Sequence, residues 1–212
     1  MGITLEYPAG ATPLDPDEAA ALIPSHITTQ EQLNEWELAN FLEGQRWALS
    51  PRRLARAELL TADFMQKLHK RMFGRTWKWA GTFRKTEKNI GVAPEQIAVR
   101  LRDLCDDTKT QIEYRSWPLD EIAARFHHRL VAIHPFPNGN GRHSRLMTDL
   151  LLIKLGAEPF PWGADDLVAE GATRARYLEA LRMADGKNYA ALFAFVRSGA
   201  ALAKRASRKE NP

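Results

Sequence analysis

The chain has 212 residues, the length of one compact domain with extensions rather than of two full domains. Hydrophobic residues make up 44% and charged residues 26%, which allows a real core and excludes disordered, fibrous and membrane proteins. The net charge of +4 is unevenly distributed: residues 1–45 carry −8 with no Lys or Arg, and residues 46–212 carry +12. We therefore expect the acidic N-terminal segment to lie against the basic remainder of the chain.

The single cysteine, Cys105, excludes an intramolecular disulfide and is typical of a reducing compartment. It occurs in a helical apolar pattern, which predicts a small buried hydrophobic residue rather than a nucleophile. The N-terminus lacks the basic start and apolar run of a signal peptide, and no apolar stretch approaches the length of a membrane span. These features predict a cytoplasmic protein with no membrane partner.

Residues 1–27 contain four prolines and no sustained periodicity, which predicts an extended arm lying on the rest of the chain. A helix is expected to begin at Thr28 and Thr29, because Glu31 and Gln32 follow them in the pattern of a capping box. Its inward face is predicted to be an apolar stripe interrupted by one polar and one acidic residue: Leu33, Trp36, Asn40, Glu43 and Trp47.

The Ser50-Pro51 pair predicts the start of a long amphipathic helix that ends at Gly74. Residues 75–93 break that periodicity, and their Trp and Gly residues predict a short β-hairpin. This part of the chain therefore reads as one helix followed by a small non-helical element.

Further helices are predicted from Pro94 and from Pro118, and the second ends at His134 because the following proline disfavours helical geometry. Residues 141–156 leave little polar face, so they are expected to form a buried helix in the middle of a bundle. Two more helices follow before residue 203. The basic run in the tail, residues 204–212, predicts a solvated end rather than a nucleic-acid site.

The segment from residue 133 to residue 145, IHPFPNGNGRHSR, joins one predicted helix to the next. Backbone N–H groups at a helix N-terminus are unpaired, and the helix dipole favours negative charge there. Gly139 and Gly141 allow a ligand to approach the backbone closely and permit positive φ angles. The segment therefore predicts an anion-binding site.

The same segment carries two cations and a candidate base. Arg142 and Arg145 are three residues apart, so they share a helix face, and their planar guanidinium groups suit phosphate oxygens. His134 lies at the other end of the loop, where an imidazole can take a proton from a hydroxyl beside a bound phosphate. The residues by themselves predict a polyphosphate site with a general base.

Each of these residues also has a structural explanation. A histidine at a helix end often caps a carbonyl, arginines are common on surfaces, and glycines form turns. Phe136 is best explained as a core anchor for the loop. A base, an anion cradle and two cations within twelve residues nevertheless favour a functional site.

The segment resembles the signature of the Fic family, H-x-F-x-[DE]-G-N-G-R-x-x-R. It matches seven of the eight fixed positions, which are His134, Phe136, Gly139, Asn140, Gly141, Arg142 and Arg145. The likeness extends to residues 79–84, 89–91 and 180–185, so it covers most of residues 50–200.

The resemblance implies an all-α fold: a Fic-like helical bundle around a central helix–loop–helix active site, with a short β-hairpin flap. It implies a protein adenylyltransferase that moves AMP from ATP to a Ser, Thr or Tyr hydroxyl of a target protein. His134 would be the catalytic base, and Ile90 and Gly91 would belong to the target-binding flap. The nucleotide phosphates would be held by Gly139, Asn140, Gly141, Arg142 and Arg145.

The sequence departs from the signature at Asn138, where the family usually has an acid that holds magnesium. An amide offers one oxygen and no charge, whereas Mg²⁺ prefers carboxylate ligands. The resemblance still implies Mg²⁺ as the cofactor, with Asn138 as the candidate ligand and weaker metal binding expected.

Many Fic proteins block their own site with a helix of the pattern [ST]-x-x-x-E-[GN]. Residues 39–44 match this pattern at Glu43 and Gly44, with Ala39 in place of the hydroxyl residue. We expect Glu43 to turn inward and pair with Arg145, because a buried charge requires a partner. The chain would then divide into an arm with an inhibitory helix over 1–49, a Fic-like catalytic domain over 50–203, and the tail over 204–212.

Two other functions stay open: a nucleotide-binding regulatory or interaction module with little turnover, and a Fic-type transferase of another phosphate-containing group. A metal hydrolase using His127, His128, His134 and His143 is disfavoured, because no carboxylate lies at ligand spacing. The expected partners are ATP and an unidentified target protein, with the chain itself as a second candidate target and a homo-oligomer as a candidate assembly.

Overall fold

The computed structural model describes residues 11–164 and 171–199, together with Leu5, Tyr7 and Leu167. These residues form an all-α fold, as predicted, with no β-strand among them. The α-helices in chain order are α1 (Pro16–Ala19), α2 (Gln30–Ala48), α3 (Pro51–Arg56), α4 (Ala62–Phe73), α5 (Ile97–Glu113), α6 (Leu119–Ile133), α7 (Asn140–Lys154), α8 (Ala172–Asp185) and α9 (Ala190–Val196). Two 3₁₀ helices span Pro94–Gln96 and Trp162–Ala164.

Helices α6 and α7 lie at the centre of the fold. They pack against each other, with α5 and α9 on α6 and with α3 and α4 on α7. Nine of the 15 residues of α7 are buried, which confirms the central buried helix predicted from its sequence. Both helices contribute to two hydrophobic clusters, one shared with α4 and α5 and the other with α8 and α9.

The long helix predicted over residues 50–74 is divided into α3 and α4, so that prediction is wrong. Lys154, at the end of α7, donates from Nζ to three carbonyl oxygens between residues 54 and 57, which satisfies the last carbonyls of α3. A new helix then begins because Thr61 Oγ1 accepts the amide hydrogen of Phe64 at 3.2 Å.

The β-hairpin predicted for residues 75–93 is also wrong. The segment consists of turns and bends, and an antiparallel bridge between Trp77 and Leu22 is its one β-type contact in the described part of the chain. The indole N–H groups of Trp77 and Trp79 bond to the N-terminal segment instead of supporting a second strand.

A loop that we call the flap, residues 84–92, is fastened to the end of α6 by its backbone. The amide of Arg84 donates to the carbonyl oxygen of Pro135 at 2.9 Å. The amide of Val92 donates to the carbonyl oxygen of Ile133 at 3.3 Å. Both ends of the flap are therefore fixed beside the loop that joins α6 to α7.

The N-terminal segment lies on the flap through charged side chains. From the segment predicted as an extended arm, we keep the name arm for residues 11–19 alone. In these residues a stretch without helix or strand leads into α1. Lys88 of the flap has a side chain only 3% exposed and pairs with Asp15 at 2.9 Å and with Glu18 at 2.5 Å. The expectation that the acidic front lies against the basic body is confirmed.

Helix α2 begins at the predicted capping box. Thr29 Oγ1 accepts the amide hydrogen of Gln32 at 3.3 Å, and Gln32 Oε1 accepts that of Thr29 at 3.2 Å. The helix packs on α4. Its buried residues are Leu33, Asn40, Gly44 and Ala48. Of the predicted inward face, Leu33 and Asn40 are thus confirmed, Trp36 and Trp47 are partly buried against the core, and Glu43 is exposed.

Gly44 sets the distance between α2 and α4. A Cβ at this position would lie 2.8 Å from both the carbonyl oxygen of Arg71 and the Cα of Met72. One turn earlier, Asn40 Oδ1 accepts the amide hydrogen of Arg75 at 3.0 Å. The two helices are therefore joined by close backbone approach and by a buried amide.

Cys105 is a free thiol buried in α5. Burial raises the pKa of this thiol to about 11, so the group is protonated at neutral pH and acts as a core residue, as predicted. No helix within residues 11–164 and 171–199 is long and apolar enough to cross a membrane. The basic tail at 204–212 lies outside the described residues.

We expect Gly44→Ala to lower the free energy of unfolding by about 1–3 kcal/mol, because the added methyl group must push α2 and α4 apart. Urea denaturation followed by circular dichroism measures this difference. Gly171→Ala is the matched control, since a Cβ there meets no atom within 4 Å and the backbone is extended. Equal stability of Gly44→Ala and the wild type would contradict the packing role.

Candidate active site

A side chain closes the loop between α6 and α7. Asn140, which is 2% exposed, accepts the amide hydrogen of Phe136 at Oδ1 (2.9 Å) and donates from Nδ2 to the Phe136 carbonyl oxygen (2.7 Å). Phe136 is fully buried, and its ring stacks on His69 with centroids 3.8 Å apart. Phe136 is thus the core anchor that was predicted, and the Asn140 side chain holds the loop in shape.

Two residues in the left-handed region set the ends of this loop. His134 ends α6 at φ 53° and ψ 59°, and Gly139 precedes α7 at φ 77°. A side chain at Gly139 is also excluded by space, because a Cβ would lie 2.6 Å from the Phe73 ring. The N–H groups in the first turn of α7 have no acceptor within the helix and lie at the positive end of its dipole.

A cavity of about 250 Å³ opens at the N-terminus of α7. Most of the predicted site residues line it: Ile90, His134, Asn138, Gly139, Asn140, Gly141, Arg142 and Arg145. Gly91, Glu43 and Gly44 are not among the described residues that line it. The structure therefore brings together the whole predicted phosphate-binding set and the predicted base.

Arg142 and Arg145 both face the cavity, but their surroundings differ. The Arg142 guanidinium lies over the Phe73 ring, 4.6 Å from its centroid, and Nη2 is 2.7 Å from Glu37 Oε2. The Arg145 guanidinium lies 5.7 Å from the centroid of the Tyr177 ring. Among the described residues, a carboxylate forms an ion pair with Arg142, and none forms one with Arg145.

Glu37 is the acid that reaches the site. Besides its ion pair with Arg142, it accepts the indole N–H of Trp77 at Oε1, at 2.6 Å. The side chains of Glu37 and Arg142 are only 14% and 18% exposed, so water screens this pair less than a surface pair. The Glu37 carboxylate is therefore paired with one of the two arginines that were predicted to bind phosphate.

The prediction that Glu43 pairs with Arg145 is wrong. Glu43 pairs instead with Arg75 at 2.9 Å, and both of these side chains are more than half exposed. The physical reason is helix phase: Glu37 and Gly44 are two turns apart on the inward face, and Glu43 is rotated away from it by about 100°. Gly44 has the packing role described above.

His134 is held at the wall of the cavity with a hydroxyl group against it. Its Nε2 lies 3.1 Å from Oγ1 of Thr12 in the arm. Burial, together with the positive charges of Arg84 and Lys88, lowers the pKa of His134 to about 4, so the imidazole is neutral at pH 7. A neutral imidazole with its proton on Nδ1 can accept a hydroxyl proton at Nε2.

The Asn138 side chain is bound to backbone groups. Its Oδ1 accepts the amide hydrogen of Gly139 at 2.6 Å, and its Nδ2 donates to the carbonyl oxygen of Thr12 at 3.0 Å. The described residues contain no group of three His, Cys, Asp or Glu side chains that could hold a metal ion. Both polar atoms of the Asn138 side chain therefore already have backbone partners, and its amide carries no charge with which to hold a magnesium ion.

Arg84 connects the flap to the base. The residue is 3% exposed; its Nε donates to the carbonyl oxygen of His134 at 2.7 Å, and its Nη groups donate to two carbonyl oxygens of the flap. Gly91 leaves room for this guanidinium, since a Cβ there would lie 2.5 Å from Arg84 Nη2. The neighbouring Ile90 is 44% exposed and stands at the cavity.

The other histidines considered for a metal site are used separately. Their partners are Tyr177 for His127 (2.9 Å), Asp185 for His128 (2.8 Å) and the carbonyl oxygen of Met65 for His143 (3.0 Å). Each of these three histidines thus has a partner of its own, and the contacts do not favour a metal hydrolase.

Comparison with known families identifies the domain that carries this site. Residues 59–152 match the model of the Fic/DOC family, and this range includes the loop, the base and both arginines. The chain carries a Fic/DOC-family domain.

Curated relatives of this Fic domain include protein adenylyltransferase fic-1 of Caenorhabditis briggsae and of Caenorhabditis elegans. They are 32% and 31% identical to the chain over 131 residues. The matched region is 59% of this chain and 24% of each relative, so the chain spans about a quarter of the length of the curated relatives it matches.

Solved Fic domains have the same fold. The N-terminal Fic domain of a VirB-translocated Bep effector from Bartonella quintana gives a TM-score of 0.67 at 18% identity, covering 89% of this chain and 97% of that one. BepC of Bartonella tribocorum, with bound AMPPNP, gives 0.65 at 17% identity, covering 86% and 97%. Fic-1 of Caenorhabditis elegans gives 0.62 at 26% identity, covering 91% and 56%.

Three residues of the Fic site were missed by the sequence-based prediction: Thr12, Glu37 and Arg84. Glu37 could have been found by shifting the helical phase of α2, which places it on the same face as Asn40 and Gly44. Thr12 carries no local signal, because it bonds to His134 across 122 residues of sequence. Arg84 ends the segment 79–84 that resembles the family, but its bond to the His134 carbonyl oxygen spans 50 residues and could not be read from that segment.

The buried histidines predict that acid destabilises this Fic domain. Burial lowers the pKa of His127 and His143 to about 3, that of His134 to about 4, and that of His69 well below 6.5. Between about pH 4 and pH 6.5 the unfolded chain binds more protons than the folded chain, so the free energy of unfolding falls as the pH falls. Burial raises the pKa of Asp149 to about 7, so this one carboxyl group makes the free energy of unfolding rise as the pH falls. The four histidines together outweigh this single group.

Urea denaturation at pH 7, 6 and 5 measures this effect. His143→Gln removes one of the four groups and keeps a donor for the Met65 carbonyl. It should therefore reduce the slope of stability against pH, by little at pH 7 and by up to about 1.4 kcal/mol per pH unit, the limiting value for one proton, near pH 5. Stability that is constant or increases on acidification would contradict the prediction.

Proposed function

We propose that this chain is a protein adenylyltransferase that transfers AMP from ATP to a hydroxyl group of a target protein. The observation that carries the proposal is the position of His134. Its neutral imidazole lies 3.1 Å from a hydroxyl oxygen, on the wall of the cavity that also receives Arg142, Arg145 and the N-terminus of α7. The relatives named protein adenylyltransferase, and the neighbour with bound AMPPNP, support this assignment.

The site residues divide the proposed reaction between proton transfer and charge. His134 takes the proton of the target hydroxyl, and the hydroxyl oxygen attacks the α-phosphorus of ATP. The bond from that phosphorus to the bridging oxygen of the β-phosphate breaks, and pyrophosphate leaves. The first-turn amides of α7, with Arg142 and Arg145, hold the phosphate oxygens, because transfer of this kind depends on positioning and charge neutralisation.

Magnesium belongs to the substrate in this proposal. Asn138 is the residue that the family resemblance assigns to the metal, but its amide oxygen already accepts the Gly139 N–H and its nitrogen already donates to Thr12. We therefore propose that Mg²⁺ enters with ATP, and that Asn138 is not its ligand.

The N-terminal segment is proposed to hold the enzyme inactive, with Glu37 in the role expected of Glu43. The Glu37 carboxylate and a nucleotide phosphate compete for Arg142. A charge-assisted hydrogen bond contributes roughly 1.5–3 kcal/mol, which corresponds to a roughly 10- to 100-fold loss of apparent nucleotide affinity. The cavity of about 250 Å³ is also below the roughly 300–1,000 Å³ of most small-molecule sites.

A nucleotide-binding regulatory module with little turnover is the second candidate. The observation that favours it is Asn138, which supplies no carboxylate to the site and is bound to the arm. This candidate predicts ATP binding by calorimetry without transfer. We also propose a cytoplasmic location for the protein. Transfer of another phosphate-containing group is a further candidate activity, and the target protein is unidentified.

We expect Glu37→Gln to increase AMP transfer by about tenfold or more at subsaturating ATP, because it removes the carboxylate charge that competes for Arg142. Gln keeps the length of Glu and an oxygen that accepts the Trp77 N–H. Transfer is measured with labelled ATP and Mg²⁺, with the protein itself and a cell lysate as acceptors.

Glu43→Gln is the matched control, because Glu43 is on the same helix but pairs with the exposed Arg75; it should behave as the wild type. His134→Ala supplies the background. If neither the wild type nor Glu37→Gln exceeds that background, the transferase proposal fails. Equal stimulation by Glu43→Gln would refute the specific role of Glu37.

A further inference from the structure

The arm places one of its own hydroxyl groups on the candidate base. Thr12 is 7% exposed, and its Oγ1 lies 3.1 Å from Nε2 of His134. This is the distance at which a general base accepts a proton from its substrate. Thr12 therefore stands where the hydroxyl of a target protein has to stand.

The backbone around Thr12 is held on both sides by the body. Asn89 Nδ2 donates to the carbonyl oxygen of Ala11 at 3.3 Å, and Asn138 Nδ2 donates to that of Thr12 at 3.0 Å. The Lys88 ammonium lies 3.5 Å from the carbonyl oxygen of Pro13. Three successive carbonyl oxygens of the arm thus accept hydrogen bonds from side chains of the flap and the loop. Contacts to the backbone of a bound peptide hold it whatever side chains the peptide carries.

Asn138 is suited to this contact by its amide. Its Oδ1 accepts the Gly139 N–H at 2.6 Å, which fixes the orientation of the group and directs Nδ2 to the Thr12 carbonyl oxygen. A carboxylate in the same place would set an oxygen against that carbonyl oxygen. The one departure from the family signature therefore supplies a donor that the arm uses.

A charged anchor fixes the position of the arm along the flap. Asp15 accepts from the Thr86 hydroxyl at 2.7 Å and from Lys88 at 2.9 Å, and these contacts lower its pKa. Glu18 binds the same ammonium at 2.5 Å. Because this anchor is three residues beyond Thr12, it determines which residue of the arm reaches His134.

We propose that Thr12 is an intramolecular acceptor, so that the chain adenylylates its own arm; this inference rests on the proposed function. Thr12 Oγ1 attacks the α-phosphorus of ATP and forms a phosphodiester bond, and its proton passes to Nε2 of His134. The bond between the α-phosphorus and the bridging oxygen breaks, and pyrophosphate leaves with the displaced electron pair. Asn138 is a positioning residue for this reaction.

The test is incubation of the full chain, wild type and Glu37→Gln, with ATP and Mg²⁺, followed by intact mass and peptide mapping. We expect one AMP per chain on the peptide that contains Thr12. Thr12→Val, which keeps the shape and removes the hydroxyl, should lower labelling of the chain by about tenfold or more, and Thr12→Ser should restore it. The initial rate per chain should not depend on protein concentration, because the reaction is intramolecular.

Two further variants separate positioning from folding. Asn138→Asp removes the donor to Thr12 and should lower Thr12 labelling by roughly five- to tenfold, the effect of one hydrogen bond. The ratio of label on Thr12 to label on lysate proteins should fall in this variant, because a change in nucleotide or metal binding would alter both labels together. Ser25→Ala removes an exposed hydroxyl from the same N-terminal segment and should be labelled as the wild type. Thermal unfolding of each variant checks that it is folded.

The outcomes distinguish this inference from the proposed function. Label on a lysate protein or on another residue of the chain, with none on Thr12, overturns the inference and leaves the transferase standing. A rate per chain that rises with protein concentration overturns the intramolecular route. Absence of label on every protein, in both the wild type and Glu37→Gln, overturns the transferase and this inference together.

Discussion

The pair of hydrogen bonds between Asn140 and Phe136 is the contact on which the rest of the site depends. One buried amide closes the loop between the two central helices, and the stacked rings of Phe136 and His69 hold that loop in the core. Because the loop has a single shape, the N-terminus of α7 and the His134 imidazole share one cavity. Arg84 joins the flap to this loop, because its guanidinium group donates to the His134 carbonyl oxygen and to carbonyl oxygens of the flap.

Charge complementarity brings the N-terminal segment onto this preformed site. Every ion pair made by the described acidic residues before residue 45 goes to a cation of the body. Two contacts of this segment lie at the site: the Glu37 carboxylate is paired with Arg142, and the Thr12 hydroxyl lies against His134. Under the proposed function, these groups stand where a phosphate group and a target hydroxyl would bind. In this structure, groups of the N-terminal segment are therefore the partners of both Arg142 and His134.

Much of the fold was readable from sequence where local signals are strong. The cap of α2, the helices after Pro94 and Pro118, and the buried α7 were predicted correctly, because capping, proline geometry and apolar periodicity are local properties. The division of the helix over residues 50–74 was not, since it depends on Lys154, a hundred residues away from the carbonyl it binds. The hairpin failed because the indole groups of Trp77 and Trp79 bond to the N-terminal segment.

By itself the sequence determined the helical class and the loop between α6 and α7, because these follow local rules. It also placed the candidate base and the candidate phosphate-binding residues in one short segment, and they line one cavity. It also determined that an acidic front must meet a basic body. Only the tertiary structure decided which acidic side chain pairs with which cationic side chain. Glu37 rather than Glu43 reaches an arginine of the cavity, because helix phase is set by the packing of Gly44 on α4. Thr12 reaches His134 because Lys88 anchors the arm.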